Sequence, residues 1–139
     1  MTERATAFYR TASLAAAAVF AAVGLCFLLI PGRVLLFFTN LSGPVGFPSS
    51  PSAVSPFFVA LAAAYMYVVT VLALGMYRHP ESRAYPSLLA QAKFASALMS
   101  LILFVAAGRC LILLANGIVD GLIGLAVVAL AARGRPKDA

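Results

Sequence analysis

Charged residues are scarce in this 139-residue chain, at 10% of the total, and only four of them are acidic. Tryptophan is absent and histidine occurs once, as His79. Cys26 and Cys110 lie far apart, so the C-x-x-C pair of a dithiol redox enzyme is missing. No His, Cys, Asp and Glu residues occur together at metal-binding spacing, which argues against a metal site. So few charges cannot cover the surface of a water-soluble domain.

Apolar residues make up 63% of the chain, and its mean hydropathy is +1.02. Most of them fall into four runs of about 20 residues, the length of a membrane-spanning helix at 1.5 Å rise per residue. We therefore predict an all-α, polytopic membrane protein with a single domain over residues 1–139, built as an up-down four-transmembrane-helix bundle. The predicted spans are residues 11–30, 57–77, 87–107 and 111–132.

The first apolar run exceeds the roughly 7–15 apolar residues of a secretory signal, so we expect a retained helix. Between the first two spans lies a predicted outer loop, residues 31–56. Its segment 33–41 is too short to cross a membrane and too apolar for water, so we expect it to lie along the membrane interface. The rest of this loop is rich in proline, glycine and serine, which predicts irregular structure.

Basic residues cluster at one set of span ends. Eight of the ten follow this pattern: Arg4, Arg10, Arg78, Arg83, Lys93, Arg133, Arg135 and Lys137. Only Arg33 and Arg109 lie at the opposite ends. The positive-inside rule then places both termini in the cytoplasm. We predict that Lys93, Arg78 and Arg83 contact lipid headgroups, and that the chain binds no nucleic acid, because its charges do not form one basic face.

Small residues at four-residue spacing mark faces where membrane helices approach closely. The fourth span carries Gly117 and Gly121 as a G-x-x-x-G pattern, and Gly124 extends the same face. Similar alanine and glycine patterns predict contact faces on the first two spans, at Ala17, Ala21 and Gly24 and at Ala60 and Ala64.

Asp120 is the acidic residue inside the predicted spans, where a carboxyl group costs several kcal/mol and is therefore expected to be functional. It shares a helix face with the glycines, so we predict that it points into the bundle. Lys93 is the obvious counter-charge. Side chains lean toward the N-terminus of their own helix, which would draw these two apart, so we favour Lys93 snorkelling to headgroups over a buried ion pair.

Residues of other spans that lie at the same depth in the membrane are candidate neighbours of Asp120. Tyr65 and Ser100 fall within a few ångströms of its level, and Asn116 lies one turn above. We predict that these residues form a small polar pocket, open toward Arg109 and the outer loop. In such a dry site the carboxyl group of Asp120 could stay protonated and donate a hydrogen bond.

Three functions remain open for this pocket. The chain is expected to be an accessory or scaffold subunit of a larger membrane complex, with a membrane-protein partner or as a homo-oligomer. A second hypothesis is binding or redox handling of a lipid-soluble ligand such as a quinone, and a third is proton or small-solute transport. Since no nucleophile lies beside a base, we expect a role other than catalysis.

The order of the spans, with Pro31–Gly32–Arg33, Arg78–His79–Pro80–Glu81, Lys93 and the segment Asn116 to Gly121, resembles the DoxX-like class of small bacterial four-helix membrane proteins. The resemblance covers nearly the whole chain. It implies the four-helix fold and a location in the inner membrane of a bacterium. It also implies a link to quinones, because some members of the class are associated with quinone-linked oxidation of reduced sulfur.

Overall fold

Helices account for nearly all of the chain in a computed structural model, which describes residues 3–48, 55–106 and 108–133. The helices are α1 (Glu3–Leu29), α2 (Pro31–Ser42), α3 (Pro56–Arg78), α4 (Ala84–Ala106) and α5 (Leu111–Arg133). Four of them, α1, α3, α4 and α5, are long and apolar enough to cross a membrane. The prediction of an all-α bundle of four transmembrane helices is confirmed, and the protein is a multi-pass membrane protein.

Proline and glycine set the boundaries between helices. Pro31 and Pro56 occupy the first turns of α2 and α3, where a missing N–H costs no hydrogen bond. Ile30 has a non-helical backbone and separates α1 from α2. Gly108 and Arg109 both have positive φ angles, 119° and 54°, so the chain reverses sharply between α4 and α5.

The bundle consists of two closely packed helix pairs. α1 packs against α3, and α4 packs against α5, while α3 and α4 join the pairs. The shared core is formed by the buried side chains of Phe20, Val69, Met76 and Leu89. The short helix α2 contacts both α1 and α5, so it links the two pairs.

Glycines permit close approach at two of these contacts. In α5, Gly117 faces Leu101, Gly121 faces Ala97 and Gly124 faces Phe94, so the whole glycine face meets α4. In α1, a Cβ on Gly24 would lie 2.8 Å from Cβ of Met66 in α3. Ala17 is buried on the same side of α1.

Several boundaries differ from the predicted ones. α1 begins at Glu3 rather than at residue 11, and α4 begins at Ala84 rather than at residue 87. The predicted interfacial segment 33–41 lies within α2. Residues 49–54 of the predicted irregular loop, and the basic residues Arg135 and Lys137, lie outside the described residues.

Candidate functional site

Lys93 and Asp120 form a buried ion pair at the centre of the bundle. The ammonium Nζ of Lys93 donates a hydrogen bond to Oδ1 of Asp120 over 2.8 Å, and the two side chains are only 3% and 6% exposed. The prediction that Asp120 points into the bundle agrees with this geometry. The prediction that Lys93 snorkels to headgroups is wrong, and the buried pair, which was the less favoured alternative, is the one observed.

Three features explain why the prediction from side-chain direction failed. Because α4 begins at Ala84, Lys93 lies about 14 Å along its helix instead of the 9 Å that a start at residue 87 implies. Only the Cα–Cβ bond is tilted toward the N-terminus of the helix, and the long lysine side chain can bend in the opposite direction beyond Cβ. The glycine face of α5 also brings its backbone close to α4, which shortens the span that Lys93 must bridge.

Aromatic rings surround the Lys93 ammonium on its other sides. Nζ lies 4.7 Å from the ring centroid of Phe20 in α1 and 5.2 Å from that of Tyr65 in α3. Such cation–π contacts are stronger in desolvated sites. Each of the four long helices therefore contributes one side chain to this cluster, which we call the central clasp: Phe20, Tyr65, Lys93 and Asp120.

The other predicted neighbours of Asp120 form a second polar group. Nδ2 of Asn116 donates to Oγ of Ser100 over 2.8 Å and lies 3.4 Å from Oγ of Ser96. The Tyr65 hydroxyl donates to the carbonyl of Ala92 over 3.0 Å, next to Lys93 in the chain. The predicted set is thus divided: Tyr65 belongs to the central clasp, whereas Asn116 and Ser100 bridge α4 and α5 about one turn away.

Two members of the site were missed from the sequence, Phe20 and Ser96. Phe20 follows Ser13 and Ala17 at helical spacing, and all three are buried. That spacing could have identified the inward face of α1, although it could not show which residue of another helix Phe20 meets. Ser96 lies one turn before Ser100 on α4, so the pair of hydroxyls at four-residue spacing was the available signal.

Arg78 and Arg83, predicted to contact headgroups, are exposed near the end of α3 and the start of α4. The aromatic and methionine residues proposed for a quinone tail do not share one environment. Phe58 is 63% exposed, Phe104 packs against Phe47, and Met66 lies against Gly24.

The two charged groups of the central clasp are already paired with each other. The carboxylate accepts from the ammonium, so neither group of the pair is left as an isolated buried charge. Among the described residues, no three His, Cys, Asp or Glu side chains come together in a group that could hold a metal ion. A cavity of about 620 Å³ lies elsewhere, where the segment 80–83 meets the start of α4 and the end of α5, whereas the predicted pocket was to open toward Arg109.

Comparison with known proteins assigns this chain to no family. It matches no protein-family model, no curated protein and no solved structure.

Proposed function

We propose that the chain is an accessory or scaffold subunit of a larger membrane complex. The observation that carries this proposal is the central clasp, in which the ammonium and carboxylate of the membrane interior are bonded to each other. A carboxyl group that bound a ligand or exchanged protons would need an open face. The 6% exposure of the Asp120 side chain instead favours a role in tying helices together.

The outward face of α3 supports a partner. Ala60 and Ala64 were predicted to pack inside the bundle, but both are exposed on α3. Small residues at this spacing allow a second helix to approach closely, and Leu61, Tyr67 and Val68 extend the same exposed region. This arrangement supports docking of a helix from a partner protein or from a second copy of the chain.

The test is the size of the complex that the chain forms in membranes of the cells that produce it. The tagged chain is extracted in mild detergent, and its complex is sized by native gel electrophoresis and identified by mass spectrometry. We expect Ala64→Phe to release the chain from its complex, because the larger ring prevents close helix contact. Leu122→Phe, on the exposed face of α5, is the matched control and should leave the complex intact.

A second experiment distinguishes this proposal from the quinone and transport hypotheses. In the double variant Lys93→Met with Asp120→Leu, the clasp has no charge but keeps a comparable volume. A structural subunit should still assemble into its complex. Loss of quinone binding, or of proton flux in liposomes, with assembly intact would instead identify Asp120 as a chemical group and overturn the scaffold proposal.

The likeness to the DoxX-like class and the assignment to a bacterial inner membrane are part of the same proposal. The arrangement of four apolar helices supports both, since it is the architecture that the class implies. Quinone remains the alternative ligand that this likeness suggests.

A further inference from the structure

The cavity of about 620 Å³ lies at the end of the bundle where α3 turns into α4 and where α1 begins and α5 ends. Its volume falls within the range of roughly 300–1,000 Å³ that is usual for small-molecule sites. It is separate from the central clasp, because neither Lys93 nor Asp120 lines it. Its wall is polar near the segment 80–83 and apolar toward the bundle.

Tyr9 is a polar residue of the cavity wall that lacks a partner. The residue is 4% exposed, and its hydroxyl makes no hydrogen bond to any part of the chain that the structure describes. Buried hydroxyl groups are nearly always hydrogen-bonded, so one without a protein partner indicates a bound molecule or water. The cavity is where that molecule would lie.

One cationic side chain lies in the wall of the same cavity. Arg83 lines it and has no ion-pair partner among the described residues, whereas Glu81, also in the wall, lies 3.6 Å from His79. The first turn of α4, at Pro86 and Ser87, forms another part of the wall. The positive end of the α4 helix dipole favours an anion there.

The remaining wall is apolar. Phe94, Val128 and Ala131 line the cavity from α4 and α5, below the polar residues. A ligand that fits both parts has an anionic head and a hydrocarbon tail. Basic pockets between transmembrane helices bind the headgroups of anionic lipids by the same chemistry.

We propose that this cavity is a binding site for one anionic glycerophospholipid. Its phosphate lies between Arg83 and the start of α4, a headgroup or ester oxygen bonds to the Tyr9 hydroxyl, and an acyl chain packs on Phe94 and Ala131. This site differs from general headgroup contact by exposed arginines because it retains one lipid through detergent extraction.

Retention can be measured by native mass spectrometry of the purified chain after exchange into detergent containing phosphatidylglycerol or phosphatidylcholine. We expect one phosphatidylglycerol bound per chain, with phosphatidylcholine retained about tenfold less. Arg83→Gln should weaken binding about tenfold, while Arg78→Gln, with the same charge change outside the cavity wall, should not. Tyr9→Phe should weaken it about 2- to 10-fold, the range for one hydrogen bond, with exposed Tyr67→Phe as its control.

A larger side chain at Ala131 tests whether an acyl chain occupies the apolar part of the cavity. Ala131→Leu should abolish retention, whereas Ala126→Leu on the exposed face of α5 should not. Unfolding temperatures of all variants show whether a loss reflects misfolding, and the conservative Tyr9→Phe change then decides the question. The proposal would be overturned if the chain retained both lipids equally, or if Ala131→Leu retained as much lipid as the wild type. Displacement of the lipid by an added quinone, or by inorganic phosphate alone, would also overturn it. None of these results depends on whether the chain has a protein partner.

Discussion

Lys93 and Asp120 each place a formal charge in a region where an isolated charge is costly. Their 2.8 Å contact and the rings of Phe20 and Tyr65 offset that cost. A buried pair of this kind adds little net stability compared with apolar residues of similar volume, but each partner depends strongly on the other. The clasp is therefore best understood as a device that specifies which helices meet.

Single and double substitutions should reveal this dependence. Lys93→Met and Asp120→Leu should each lower the free energy of unfolding by about 3–5 kcal/mol, because each leaves one buried charge unpaired. The double variant should return close to the wild-type value. Denaturant titration of the chain in detergent, followed by circular dichroism, measures all three. A double variant less stable than either single variant would contradict the proposed compensation.

Tyr65 contributes to the stability of the central clasp through its hydroxyl group and through its ring, and the two contributions can be measured separately. Tyr65→Phe removes the hydrogen bond to the Ala92 carbonyl but keeps the ring beside Nζ of Lys93, so we expect a loss of about 0.5–1.5 kcal/mol. Tyr65→Leu also removes the cation–π contact and should cost about 0.5–2 kcal/mol more. Tyr67→Phe, at a tyrosine that is 71% exposed, serves as the control. Equal unfolding free energies for Tyr65→Phe and Tyr65→Leu would show that the ring contributes nothing.

The sequence could predict the inward direction of Asp120 because helical periodicity relates it to the glycines of its own helix. It could not predict the Lys93 contact, which depends on where α4 begins and on how near α5 approaches. A shift of three residues in the helix start moves a side chain by about 4.5 Å, enough to change its partner. The cavity beside Tyr9 was missed because it is lined from three segments that are distant in the chain.

At the level of helices, the two tightest contacts are made by α1 with α3 and by α4 with α5. The glycines at these contacts differ in how much room they leave. A Cβ on Gly24 would lie 2.8 Å from the Met66 Cβ, an atom fixed to the backbone of α3. A Cβ on Gly121 would meet only the Ala97 Cβ, at 3.8 Å, which is ordinary contact.

Alanine substitution at these two glycines should therefore have opposite effects. Gly24→Ala forces α1 and α3 apart, and overpacking of about 1–3 kcal/mol should exceed the roughly 1 kcal/mol that alanine gains in helix propensity. Gly121→Ala keeps the propensity gain without the clash and should raise the unfolding temperature slightly. Thermal unfolding in one detergent compares both variants with wild type. A stabilised Gly24→Ala variant would contradict the close α1–α3 contact.

The number of membrane-spanning helices was predictable because each span is a continuous apolar run of sufficient length. The ends of the helices and their packing faces were less predictable. The apolar run hides where α1 begins, since a membrane-spanning helix can extend into polar residues such as Arg10. The alanines at 60 and 64 have the same spacing as an internal contact face, and spacing alone does not tell inward from outward.

At the scale of the molecule, the central clasp includes a side chain from each of the four long helices, and the proposed lipid cavity lies at one end of the same bundle. Much of the surface of the long helices is apolar and exposed, so the single chain has large faces for lipid or partner helices. The clasp joins the helices from within, whereas the partner and lipid contacts that we propose involve the outer faces and the cavity.

The start of α1, the segment 80–83 and the end of α5 lie at one end of the bundle, and the start of α3 lies at the other. Without Lys93, which is buried in the bundle, the basic residues toward this end outnumber those toward the other by seven to two, which predicts that this end of the bundle is cytoplasmic. A reporter fused after Ala139 or inserted beside Glu81 should therefore be active in the cytoplasm, and one inserted beside Ser50 should be active only after export. An insertion at Gly108, in the turn between α4 and α5, provides an independent exported position. An exported reporter at Ala139 together with a cytoplasmic one at Ser50 would reverse the orientation but keep four spans. The lipid cavity would then face the opposite leaflet, where anionic lipids exert less attraction on Arg83.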